Sequence, residues 1–445
     1  MLAPVVLLTV LAAPPPQEVP PERVVAELAA LVDLPTRDLR RQRAAELAGL
    51  DVSLARWHEA ALRLPLRDTA PTLVDGQNRC YRVQLPIGPA ERPAEIHVRV
   101  PIDLGKRTGP LPLLFVWPSA GRTGADALAE WTPLADRFGF LLAAPTETYE
   151  LYRKDGWSYH PDAYEGLFEA LRFVRRHFDV DEDRIVLAGV GGGGHATWDV
   201  GARAGDRFAA LVPANGAPRL GNAPREHNLV FLEQIAHVPI RLVRWGEIEA
   251  LQEANIERAL ELLRGFRNDR VQVDRATERT AALAGTAPGW SELMASRRQV
   301  PDRLVRYADV SWAPPLPDWG RCHWLEILRT DGRAVTAWPT KLPARWLKLD
   351  DKGRRRFLED HLRDGTARLV AVQRAPGRFA IEDRGIERFR LLLTADRIDP
   401  GGKVVVEWRG HRIEKAAAPA VRPFLVEFAE RFDRTFLPTA EVVLP

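Results

Sequence analysis

Apolar residues first recur at helical spacing. Val24, Val25, Leu28, Leu31 and Val32 fall on one face of a helix that Pro35 ends, and Leu54, Trp57 and Ala61 repeat the spacing. From Arg79 the texture becomes that of strands: RCYRVQL, then EIHVRV, then LPLLFVW, which is apolar throughout and ends at Trp117. A strand apolar on both faces belongs inside a parallel sheet covered by helices on each side. Strand and helix then alternate. A helix over 125–138 precedes GFLLAA. One over 163–177, with Leu167, Leu171 and Val174 on a shared face, precedes RIVLA. A helix from Ala196 precedes FAALVPA. PIRLV precedes the helix of Ile256, Leu260 and Leu263, and RVQVD follows it. This alternation predicts a doubly wound, mostly parallel α/β domain. Beyond Pro301, short strands (HWLEIL, ARLVAV, RFRLLL, KVVVEWRG) are separated by turn signals such as Asp399-Pro400-Gly401-Gly402, and PFLVEFAERFDRTFLP predicts one amphipathic helix. The expected organisation is a leader over 1–16, an N-terminal helical segment over 17–78, the α/β domain over 79–300, and a small β-rich domain over 301–445 ending in a helix.

Composition narrows the function classes. With 46% hydrophobic and 28% charged residues among 445, the chain is neither disordered nor low in core-forming residues. Sixty-three basic against 60 acidic residues leave a formal charge of +3, which argues against a nucleic-acid binder. Two cysteines, Cys80 and Cys322, are too few for a disulfide framework or a four-cysteine zinc site; a single bridge between them stays open. The apolar run Leu2 to Ala13 is too short to span a bilayer and runs into Pro14, Pro15 and Pro16. It predicts export to the periplasm or outside. No Lys or Arg precedes it, so a cytoplasmic chain with an unstructured start remains the alternative. No other apolar run is long enough for membrane insertion.

The segment DVDEDRIVLAGVGGGGHATWDVGARAGDRFAALVPANG, residues 179–216, carries the strongest pattern. A strand runs into a glycine-rich turn, a helix follows, then a second apolar strand. Upstream, PLPLLFVWPSAGRTGAD and AEWTPLADRFGFLLAAP have the order strand, loop, helix, strand. From about Glu95 to Pro301 the chain resembles the α/β-hydrolase family, in particular its esterase, depolymerase and prolyl-peptidase-like branches. The resemblance implies a nucleophile on a sharp strand-to-helix turn, with small residues two positions to either side and a helix N-terminus aimed at the oxyanion.

Mapped by that resemblance, Gly189 and Gly193 fill the small-residue positions, with Gly194 and His195 completing the elbow, and Gly191 stands where the family carries serine. The oxyanion or anion-binding positions are Gly192, Gly193 and Ser119. Pro118, where the family has histidine, removes one backbone donor. In RWGEIEA, Glu249 takes the acid position. No histidine occurs between His237 and His323, so Trp290 in APGWSELM takes the histidine position.

The implied protein is a pseudoenzyme. It keeps the hydrolase cleft and acts through a small-molecule or peptide ligand, or an unknown protein partner, with no cofactor, no metal and no nucleic acid. Two alternatives stay open. One is an active ester or peptide hydrolase with relocated residues, drawing on Ser119 or on His323, although the plainer reading places His323 at the start of the strand HWLEIL. The other is a nucleotide-cofactor protein, because Gly189, Gly191 and Gly194 satisfy G-x-G-x-x-G, although the next strand ends in Asn215 without the required acid. His195 and Asp199, four apart on one helix, are too few for a metal. Trp117, Trp157, Trp245 and Trp290 are candidates for an aromatic cluster at the sheet's C-terminal edge.

Overall fold

The computed structural model describes residues 19–68, 73–87, 90–147, 157–221, 226–308, 320–333 and 338–445. The expected leader over 1–16 lies outside the described residues. Three helices open the described chain: α1 (Pro21–Val32), α2 (Arg37–Leu47) and α3 (Leu54–Arg63). Thr36 and Ser53 cap α2 and α3 by accepting the amides of Leu39 and Arg56.

The α/β domain follows with β1 (Asn78–Ile87), β2 (Ala90–Arg99), β3 (Leu111–Trp117), α4 (Gly124–Phe138), β4 (Leu141–Glu147), α5 (Pro161–His177), β5 (Val180–Val190) and α6 (Gly192–Ala204). It continues with β6 (Ala210–Ala214), β7 (Ile240–Trp245), α7 (Ala250–Gly265), β8 (Val271–Ala276) and the short helices α8 (Arg279–Leu283) and α9 (Trp290–Met294). The eight strands lie in the order β1-β2-β4-β3-β5-β6-β7-β8. β2 runs antiparallel to β1 and β4, and the pairs from β4 through β8 are parallel.

Every residue of LPLLFVW is buried, as expected of a strand covered on both faces. Leu113, Phe115 and Trp117 join one apolar layer with Leu167, Leu171 and Val174 of α5 and Trp198 of α6. Leu114 and Val116 join the other, with Leu128, Trp131 and Leu134 of α4 and Trp290 and Leu293 of α9. The period of two in the strand thus divides two helix layers.

The C-terminal region comprises β9 (Arg303–Ala308), β10 (Arg321–Cys322), β11 (Leu325–Thr330), α10 (Asp351–Gly365), β12 (Ala367–Ala375), β13 (Arg378–Arg384), β14 (Ile386–Leu393), β15 (Lys403–Trp408), β16 (His411–Ala416), β17 (Ala418–Pro419), α11 (Val421–Arg431) and β18 (Ala440–Leu444). Its strands form two five-stranded sheets, β10-β11-β14-β18-β17 and β16-β15-β13-β12-β9. Trp324, Leu325, Phe379, Phe389 and Val404 fill the core they share.

Three expectations for this region need correction. The closing helix stops at Arg431, because Phe432 turns left-handed (φ 48°) and the Asp433 carboxylate accepts the amides of Thr435 and Phe436. The described chain therefore ends in a strand, β18. α11 packs on α1–α3: Phe424, Leu425, Phe428 and Phe432 share a core with Leu28, Leu31, Leu47 and Trp57. HWLEIL does not begin its strand at His323, which sits in the two-residue turn between β10 and β11 with φ 48°. The helix α10 was not anticipated. It buries only Leu358, Glu359 and Leu362, too few apolar positions for a periodic signal, and is tied down by the bidentate pair of Glu359 with Arg258 of α7.

Candidate functional site at the glycine elbow

In an open parallel sheet, ligands bind beyond the carboxyl ends of the strands, where the strand order reverses. Here the chain moves outward from β3 to β4 and then back to β5 on the other side, so β3 and β5 flank the reversal. The loop after β3 carries Pro118 and Ser119, and the turn after β5 carries Gly191. Both candidate segments therefore converge on the switch point.

The turn is a true elbow. Gly191 caps α6 with φ 55° and ψ −112°, a conformation that costs a side-chain-bearing residue energy. Its amide donates to the Ala214 carbonyl at 2.9 Å. A Cβ at Gly189 would lie 2.4 Å from the Gly193 carbonyl, one at Gly193 2.2 Å from the Trp117 carbonyl oxygen, and one at Gly194 2.6 Å from the Ala214 carbonyl oxygen. Those three glycines are required by backbone packing. Gly191 is not: a Cβ there would meet only the Ser119 hydroxyl, at 3.0 Å. A side chain at 191 would therefore meet backbone strain and a close hydroxyl, but no backbone atom. Gly192 and Gly193 open α6, where helix amides lack intrahelical acceptors by position.

His195 follows one turn later and is spent on the backbone. Its Nδ1 lies 2.6 Å from the Ala217 carbonyl oxygen and 3.2 Å from the Ala217 amide. Burial, the largest cause, and Arg219 lower its pKa to about 4, against the hydrogen bond to Ala217, so the ring is neutral at physiological pH. Ser119 makes no side-chain hydrogen bond to a histidine among the described residues, and a relocated serine would need such a base.

The structure brings His195 and Glu249 to one cavity of about 180 Å³, lined also by Arg219, Glu226, Gln252 and Asn255. Glu249 is exposed at the N-cap of α7. Trp290 does not join them. It is buried in the layer under α4, with the Arg241 guanidinium 4.5 Å above its ring, and Arg241 is held by Asp274 and Gln272. The four candidate tryptophans divide between the faces: Trp117 and Trp157 meet edge-to-face at 5.3 Å on one side, while Trp245 packs with the layer of Trp290 on the other.

Other motif residues are taken up structurally. Asp199 is fully buried and accepts from Trp157 Nε1 and Asn228 Nδ2, at 2.8 and 2.9 Å, and from Tyr164 and Arg203. Asn215 stitches β6 to β7 through both backbone groups of Trp245. Asp206, the acid nearest β6 in sequence and lying before that strand begins, is buried against Arg431 and accepts the His323 amide. Cys80 is exposed, Cys322 is buried in the C-terminal core, and both thiols are free.

Sequence reasoning missed Arg219 and Tyr159. Arg219 stacks over the Tyr159 ring at 5.2 Å, and Tyr159, at φ 54°, lies against Trp157 with its hydroxyl buried and without a hydrogen-bond partner among the described residues. Only the structure joins these residues, because they sit in loops after β4 and β6 with no periodic signal.

The strand order, the antiparallel β2, the elbow after β5 and the two helix layers define an α/β-hydrolase fold. No family model matches the chain, and no curated protein matches it in sequence. Similar solved structures include a substrate-bound, fluorophosphonate-binding serine hydrolase of Staphylococcus aureus (14% identity, TM-score 0.40, 50% of this chain and all of that one). A ferulic acid esterase is 13% identical with a TM-score of 0.41 over 50% of this chain and all of its own. An S-formylglutathione hydrolase from Agrobacterium tumefaciens is 13% identical with a TM-score of 0.39, covering 50% of this chain and 98% of its own.

Proposed function

We propose that this α/β-hydrolase-fold protein does not hydrolyse esters or peptides and instead binds a small polar or peptide ligand in the cleft beside the glycine elbow. One observation carries the reading: the elbow keeps its conformation and its three backbone-enforced glycines, while position 191, where a Cβ would meet only the Ser119 hydroxyl, holds glycine. A nucleophile, a base in contact with it and a complete donor set act as a unit, and losing the nucleophile alone lowers turnover on the order of a millionfold. The neutral, backbone-bound His195 and the proline at 118 support the same conclusion.

The binding part rests on the cavity between His195 and Glu249, where Arg219 and Glu226 offer opposite charges 3.7 Å apart. Arg219 leads through Tyr159 to Trp157 and Trp117, so occupancy should change tryptophan emission. The test is a fluorescence titration of the full chain with carboxylates, small sugar acids and short peptides. Saturable binding weakened at least about tenfold by Arg219→Ala supports the proposal, the size expected for one charge-assisted hydrogen bond. Absence of saturation at millimolar concentration, or equal affinity in the variant, refutes it.

A further inference from the structure

A second group of reactive side chains lies on the β1–β2 hairpin. Cys80 and His97 are direct cross-strand partners, and Glu95, two residues before His97, shares their face. Cys80 Sγ lies 4.0 Å from His97 Nε2, and Glu95 Oε2 lies 3.4 Å from the same nitrogen. The three donor atoms all fall within 4.8 Å of one another. We propose that Cys80, His97 and Glu95 form a mononuclear Zn2+ site with an open fourth position.

The geometry favours a cation over a catalytic dyad. In a nucleophile–base–acid relay the acid holds Nδ1 while Nε2 faces the nucleophile. Here sulfur and carboxylate both approach Nε2, and one ring nitrogen cannot donate its single proton to both. Bonds of about 2.3 Å to sulfur and about 2.0–2.1 Å to nitrogen and oxygen, at tetrahedral angles, place S···N near ~3.5 Å and N···O near ~3.3 Å. From the observed 4.0 and 3.4 Å, the sulfur–nitrogen pair closes by about 0.5 Å and the nitrogen–oxygen pair by about 0.1 Å. Thiolate, imidazole and carboxylate together suit zinc, while calcium and magnesium prefer oxygen alone.

The ligands are also held from behind. Arg82 Nε contacts Glu95 Oε1 at 3.3 Å and leaves Oε2 toward His97. The start of α4 closes over the imidazole: a Cβ at Gly124 would fall 2.7 Å from His97 Cδ2, so glycine lets the helix seat there. Cys80 is exposed, which gives a metal and a fourth ligand a way in.

The test is a Co2+ titration of the chelator-stripped full chain, followed by Zn2+ displacement. The expected result is one Co2+ per chain, a thiolate-to-cobalt charge-transfer band, and its loss on adding one equivalent of Zn2+. Cys80→Ser should abolish the band. His97→Gln and Glu95→Gln should each weaken Zn2+ binding on the order of 100-fold, at least the loss seen when a metal's outer partners are removed. Cys322→Ser should change nothing, and circular dichroism would confirm that each variant is folded. A wild-type protein without the band, or a band surviving Cys80→Ser, overturns the assignment.

Discussion

At the scale of residues, the elbow separates glycines that backbone contact requires from one that it does not. A methyl group at Gly193 would enter the Trp117 carbonyl at 2.2 Å, and backbone cannot yield as a flexible side chain can. Gly193→Ala should therefore cost at least about 3 kcal/mol or prevent folding, as overpacking against a fixed group does. Gly191→Ser meets only the Ser119 hydroxyl and bears mainly the strain of a positive φ, about 1–3 kcal/mol. Urea denaturation of both variants would show this ranking; equal losses would contradict the packing account. Gly191→Ser should also remain without esterase turnover, since Ser119 and His195 offer it no base. Adding Trp290→His should not help, because residue 290 lies in the core under Arg241.

At the scale of elements, the turn between β10 and β11 meets the loop before β7 through two histidines. His323 Nε2 and His237 Nε2 lie 3.4 Å apart, so a single N–H serves both, and the two rings cannot both be charged without N–H facing N–H. Burial lowers both, His237 to about 4, with Asp206 opposing the shift and Arg298, Arg431 and Arg270 adding to it. The unfolded chain binds these protons below about 6.5 and the folded one resists them. Stability is thus fully present above pH 6.5 and falls as the pH drops toward 4, at up to about 1.4 kcal/mol per unit per histidine. Urea midpoints at pH 7, 5.5 and 4.5 should decline, and His323→Gln should flatten that decline; an unchanged slope in the variant would refute the assignment.

The same elements show what the sequence could and could not disclose. The strands of the large sheet and its major helices were legible because their apolar residues repeat at fixed periods, and the elbow because sterics leave only glycine at 189 and 193. The position of His323 and the docking of α11 were not, since one is set by a two-residue turn and the other by partners hundreds of residues away. Arg219 and Tyr159 were invisible for the same reason, being single loop residues that only the tertiary fold unites.

At the scale of the whole molecule, the first helices of the described residues and the last one are joined. α11 completes the core of α1–α3, while Arg431, Arg298 and Arg434 carry its C-terminal end onto Asp206, Asp183 and Glu182 of the α/β domain. Arg298 also holds Asp433 through both guanidinium nitrogens. This scaffold fixes the rear of the sheet and leaves its C-terminal rim to the elbow cleft. The rim offers Gly191 in front of a helix N-terminus, and the proposal of a non-hydrolytic binder depends on no serine standing at that turn. The most direct measurement is therefore exposure of the folded wild-type chain to a fluorophosphonate, with intact-mass detection and parallel assay of an activated ester. The account predicts no covalent adduct and no turnover above buffer. A stoichiometric adduct mapped to Ser119 or any other serine, with loss of measurable esterase activity, would contradict it.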